Sequence, residues 1–131
     1  SPSRFCLVDL PGFGFAKMGK EKRETLAQLT IEYLRLRDEL DLVLLLNDCR
    51  REPGEDELAV RKTAFDAGVG LLVVLTKCDL LGHSNLAQQK KKIAHAYGLQ
   101  PEDVMLSAAS DPGHALLSAI LSRLAASAAA D

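Results

Sequence analysis

Four short, continuously apolar runs, at residues 5–8, 42–46, 71–75 and 104–106, alternate with longer stretches of helical spacing. Such runs suit strands buried on both faces of a parallel sheet, and they are far too short to cross a bilayer. Between them, Leu26, Leu29, Tyr33, Leu36 and Leu40 mark one face of a long charged helix, and Leu58 and Phe65 mark a second that ends near Gly68. Leu86, Ile93 and Tyr97 mark a third, with Ser84 as its candidate cap and Gly98 as its terminator. Asp111 and Pro112 suit the start of a last helix with Leu116, Leu117, Ile120, Leu121 and Leu124 facing inward, before an Ala-rich tail expected to fray. Strands alternating with helices impose right-handed crossovers, so the expected fold is α/β: three layers, a four-stranded parallel sheet with helices on both faces. The 131 residues, 47% of them hydrophobic, fit a single domain over 1–131 with a core of its own.

Composition narrows the partners. A net charge of −2 gives no footprint for broad nucleic-acid binding, so any RNA contact is local and no DNA partner is expected. Cys6, Cys49 and Cys78 form no C-x-x-C pair, which argues against a disulfide framework or zinc site and for a reduced, cytoplasmic setting. No signal peptide or membrane span is expected. Lys90, Lys91 and Lys92 read as a solvated helix face, and His83, His95 and His114 show no ligand spacing.

Three strings fall where apolar runs end, and ligands of parallel sheets bind beyond the carboxyl ends of the strands. From Asp9-Leu10-Pro11-Gly12 an aspartate can reach a nucleotide-bound Mg²⁺ through water, since that cation keeps part of its hydration shell, and Gly12 can bring its N–H near a terminal phosphate. In Thr76-Lys77-Cys78-Asp79 the carboxylate of Asp79 can accept two parallel hydrogen bonds from the N1–H and exocyclic amine of guanine, a pattern adenine lacks, while the Lys77 stem lies over the purine. Ser107-Ala108-Ala109 would complete a base pocket with a backbone N–H toward guanine O6. Gly14, Gly19 and Lys20 imitate a phosphate loop, but Glu21 stands where Ser or Thr must hold Mg²⁺. Gly12 and Gly14 likewise begin a dinucleotide fingerprint that Lys17 breaks.

In this order the strings resemble the third, fourth and fifth guanine-nucleotide motifs of small GTPases. Leu7-Val8-Asp9-Leu10-Pro11-Gly12-Phe13-Gly14-Phe15-Ala16-Lys17, a Glu/Arg-rich helix, Asp48-Cys49-Arg50, Leu75-Thr76-Lys77-Cys78-Asp79 and Leu106-Ser107-Ala108 with Gly113 resemble the EngB (YihA/YsxC) family of bacterial GTP-binding proteins, within the TrmE-Era-EngA-EngB-Septin-like class. The resemblance implies a P-loop GTPase-like fold, binding of GTP and GDP with Mg²⁺, hydrolysis of GTP as a switch, and roles in ribosome large-subunit assembly, cell division and septation. A contact with the large subunit or its rRNA follows in the same way. It assigns Asp9 to the Mg²⁺-bound water, Leu10, Pro11 and Gly12 to the phosphate side, Thr76, Lys77, Cys78 and Asp79 to the base, and Ser107 and Ala108 to its far wall.

The family's phosphate loop, its switch threonine and its first two strands have no counterpart, so the domain reads as an incomplete EngB-type G domain with something upstream left out. In the family's sheet the first strand lies between the one ending at Asp9 and the one ending near Asn47, and its loss leaves a gap. Losing four charge-assisted phosphate contacts of roughly 1.5 to 3 kcal/mol each implies at least about ten-thousandfold weaker GTP binding by this span alone. Catalysis also lacks its usual water-orienting Gln, because Phe13 follows Gly12. Phe13 and Phe15 are either exposed for a partner or tucked into the core. An alternative is therefore a nucleotide-free protein- or ribosome-binding module that keeps this fold. A third reading, an unrelated doubly wound sheet with chance motifs, would set Asp79 and Ser107 far apart.

Overall fold

A computed structural model describes residues 6–8, 10 and 19–130, with side chains as far as residue 126. Its elements run α1 (Lys20–Leu36), β1 (Leu42–Asp48), α2 (Glu55–Asp66), β2 (Gly70–Thr76), α3 (His83–Tyr97), β3 (Val104–Leu106) and α4 (His114–Ala130). The three strands form one parallel sheet in the order β1-β2-β3, in register from Leu42 opposite Gly70 to Asp48 opposite Thr76, and with Val73 opposite Val104. This is the expected α/β architecture.

Parity along the strands sorts the core. Leu45, Val73, Leu75 and Val104 point to one face, where Leu34 of α1, Val60 of α2, and Ile93, Ala94 and Tyr97 of α3 close over them. Leu72 and Val74 are equally buried but face the other way. On that side Ile120 and Leu124 of α4 line a cleft with Leu42 and Leu44 of β1. Helices therefore cover both faces, and no helix among the described residues is long and apolar enough to cross a membrane.

Several local expectations are corrected. A first strand over residues 5–8 is not seen at the described positions 6–8, which join no ladder; Leu7 is 80% and Val8 49% exposed. A strand is held by its neighbour's hydrogen bonds. Residues 6–8 instead line a cleft of about 310 Å³ with Leu42 and Leu44 of β1 and Ile120 and Leu124 of α4.

Helix α1 turns Thr30 and Leu34 inward and leaves Leu29 and Leu36 exposed, because the stripe from Ala27 through Thr30 and Ile31 to Leu34 packs against the sheet side. In α2 the buried residues are Val60, Thr63 and Ala64, whereas Phe65 is 72% exposed, with the Arg61 guanidinium 5.7 Å from its ring centre. Leu86, Ile93 and Tyr97 do face inward on α3, which ends at Gly98 in the left-handed conformation (φ 71°). Its N-cap is Gly82, not Ser84.

Helix α4 starts at His114, later than expected, after Asp111 Oδ1 accepts a hydrogen bond from the Gly113 N–H at 2.8 Å. Leu117 and Leu121 are about half exposed instead of inward. The Ala-rich end stays helical to Ala130, as the high helix propensity of alanine favours.

Candidate guanine-binding corner

The carboxyl ends of the three strands are laced together by backbone hydrogen bonds. The Cys49 N–H donates to Thr76 O (3.0 Å), the Ser107 N–H to Leu75 O (2.8 Å), and the Cys78 N–H to Ser107 O (3.1 Å). The loop carrying Asp79 thus adjoins the loop carrying Ser107, and the reading that would have set them apart is corrected. Thr76, Lys77, Cys78 and Asp79 lie with Ser107 and Ala108 at one corner of the sheet.

Local geometry explains why the corner holds its shape. After β2 the chain enters a single helical turn at Cys78–Leu80, closed by the Leu80 N–H donating to Lys77 O at 3.0 Å. Cys78 is buried in the core, and its thiol donates to Leu75 O at 3.2 Å. Cys78 therefore anchors the turn, while Lys77 and Asp79 on either side stay exposed. Ser107 and Ala108 are half-buried, and Ala108 packs on the core cluster. The next turn is closed by the Asp111 N–H donating to Ala108 O at 3.0 Å.

Asp48, Cys49 and Arg50, which the sequence offered only as part of the family resemblance, complete this corner with Asn47. Asp48 accepts from the Arg50 N–H (2.9 Å) and Nε (3.0 Å) on Oδ1 and from Arg50 Nη2 (2.7 Å) on Oδ2, and Lys77 Nζ lies 3.8 Å from Oδ2. The Arg50 hydrogen bonds, against the opposing effect of desolvation, hold the Asp48 carboxyl well below the usual carboxylate range. Beneath it, the Cys49 thiol donates to Lys77 O at 3.4 Å, and burial, with Cys78 alongside, pushes that thiol's pKa up. Asn47 braces the same turn by donating to Asp48 O (2.9 Å) and Arg51 O (2.8 Å), while its Oδ1 accepts from the buried Tyr97 hydroxyl at 2.8 Å. Burial, and secondarily the charge of Glu57, pushes that hydroxyl above its ordinary pKa. The signal available in sequence was an Asp-x-Arg step directly after an apolar run.

Of the other half of the expected site, Leu10 alone is among the described residues. Leu10 is half-buried, and Asp9, Pro11, Gly12, Phe13 and Phe15 lie outside the described residues. Among the described residues no three His, Cys, Asp or Glu side chains come together to hold a metal ion.

No family model matches the chain. Curated relatives do. It is 36% identical over 98 residues to the "Probable GTP-binding protein EngB" of Lactobacillus gasseri, covering 75% of this chain and 50% of that protein. To the protein of the same name from Alkaliphilus oremlandii it is 34% identical over 108 residues, 82% of this chain and 52% of the other. To that of Clostridium kluyveri it is 36% identical over 100 residues, 76% and 50% respectively. The chain spans about half the length of the curated relatives it matches.

Proposed function

Because the chain belongs to the EngB family of GTP-binding proteins, we propose that its sheet corner forms the base half of a guanine-nucleotide site. Asp79 accepts from the guanine N1–H and exocyclic amine, Lys77 lies along the purine, and Thr76, Cys78, Ser107 and Ala108 shape the pocket. The observation that carries this reading is the Cys78 N–H bond to Ser107 O, which holds the Asp79 turn against the opposite wall. Asp9, Leu10, Pro11 and Gly12 take the phosphate side, with Asp9 reaching Mg²⁺ through water; the cation would supply charge neutralisation of the phosphates.

The whole protein is proposed to bind GTP and GDP and to hydrolyse GTP slowly as a cytoplasmic switch in ribosome large-subunit assembly, with its linked role in septation. This span by itself binds weakly, since it carries no phosphate loop. Selectivity is therefore a better measure than affinity. In a titration with guanine and adenine nucleotides, the chain should prefer guanine, and Asp79→Asn should erase a preference of about a hundredfold or more. Equal affinities for both bases would overturn the base-site reading. A stably folded chain with no nucleotide response would favour the nucleotide-free binding module.

A further inference from the structure

Lys77 is the single non-glycine residue with positive φ among the described residues, at φ 60° and ψ 33°. An L-residue enters that region at a cost and stays there when its surroundings hold it. Two hydrogen bonds hold its carbonyl: the Leu80 N–H from the following turn and the Cys49 thiol from the end of β1. A third restraint acts on the other end of the residue, where the ammonium meets Asp48 Oδ2 at 3.8 Å.

We propose that Asp48 is a positioning residue for Lys77: clamped by Arg50, its carboxylate holds the lysine ammonium so that the stem is already extended over the base position before nucleotide arrives. The proposal rests on the guanine-site reading and adds to it a role for Asp48, which lies outside the three guanine-nucleotide strings. Asp48 can do this because it is itself fixed. Its carboxylate is engaged by one backbone N–H and two guanidinium nitrogens, and its side chain is 18% exposed against 60% for Lys77. A rigid partner thus restrains a long, mobile chain, and a preset rotamer lowers the ordering cost that binding would otherwise incur. A half-exposed ion pair adds little to folding stability, so the effect belongs in binding.

Two measurements on the full chain test this. The first needs no nucleotide: amine acylation followed by peptide mass spectrometry, comparing Lys77 with the exposed Lys91 and Lys92. Asp48→Asn should raise Lys77 labelling several-fold and leave Lys91 and Lys92 unchanged; an unchanged Lys77 rate overturns the proposal. The second is a double-mutant cycle on guanine-nucleotide affinity. Asp48→Asn should cost about tenfold, the scale of one immobilised side chain, with Asp48→Glu recovering part of it and the thermal midpoint little changed.

Combined with Lys77→Met, Asp48→Asn should add nothing further, since it acts through Lys77. Additive losses would mean that Asp48 acts elsewhere and would overturn the positioning role. If instead the wild-type chain does not distinguish guanine from adenine and Asp79→Asn changes nothing, the guanine reading falls. The labelling result then still decides whether Asp48 restrains Lys77.

Discussion

The two faces of the sheet are finished to different degrees. Under α1, α2 and α3, Val73 and Leu75 of β2 and Ile93 of α3 reach 0% exposure, and Val104 of β3 reaches 1%. On the α4 side Leu72 and Val74 of β2 are closed as well, yet Leu46 of β1 is 62% exposed, and Leu117 and Leu121 of α4 are 51% and 46% exposed. Coverage on that side is partial over β1, where Leu42 and Leu44 are half-buried and Leu46 is exposed. The difference shows that the closed face carries the fold, while the side toward the outer edge of β1 presents apolar surface of the kind that another part of a protein or a partner covers. The corner that carries Lys77, Asp79 and Ser107 adjoins this closed half, where Cys78 and Ala108 anchor it to the core.

The comparison predicts unequal responses to equal chemistry. Leu75→Ala removes a side chain with no exposure from a packed core, and should cost about 2 to 5 kcal/mol in urea unfolding. Leu46→Ala, on the neighbouring strand, should stay within about 0.5 kcal/mol. Similar losses at both positions would mean that the α4 side is closed in solution, and the contrast between faces would fail.

A polar contact on the closed face gives the next largest effect. Tyr97→Phe leaves Asn47 Oδ1 without its donor in a residue that is 6% exposed. An unsatisfied buried acceptor costs about 1 to 3 kcal/mol. Asn47 also braces the turn from Asp48 to Arg51, so hydrogen exchange at the Arg50 and Arg51 amides should speed up along with the loss of stability. A stability loss with unchanged exchange there would show that the Asn47 amide holds the turn without help from α3.

What could be read from sequence follows the same division. The apolar runs of β1, β2 and β3 were legible because a strand buried on both faces needs no alternation. Gly98 was legible because a left-handed helix end favours glycine. The rotations of α1 and α2 were not, since Leu29 and Phe65 look more apolar than Thr30 and Thr63, yet it is the threonines that are buried. At the site, Thr76, Lys77, Asp79 and Ser107 announce themselves by type and order, and the structure brings their loops together. Asp48 and Cys49 were legible as part of a familiar string, but their contacts with Lys77 were not, because these depend on the parallel register that sets Asp48 opposite Thr76. No local pattern encodes that pairing.

Asp48 sits on the rim between the two faces, and acid gives the smallest and most specific of these effects. Its folded-state pKa is depressed, first by the Arg50 hydrogen bonds. The folded protein therefore binds a proton there less readily than the unfolded chain, and the ionised carboxylate adds stability at any pH above the ordinary carboxylate range of about 4. That contribution fades as the pH falls below about 4 and is gone once the folded form is protonated. Between pH 5 and 8 the stability difference between wild type and Asp48→Asn should thus be small and flat, and from pH 4 downward it should shrink toward zero. Paired urea titrations across that range measure it. A difference that grows on acidification would mean that the carboxylate is strained, not stabilised, by Arg50 and Lys77, and the rim would then belong with the unfinished side of the molecule.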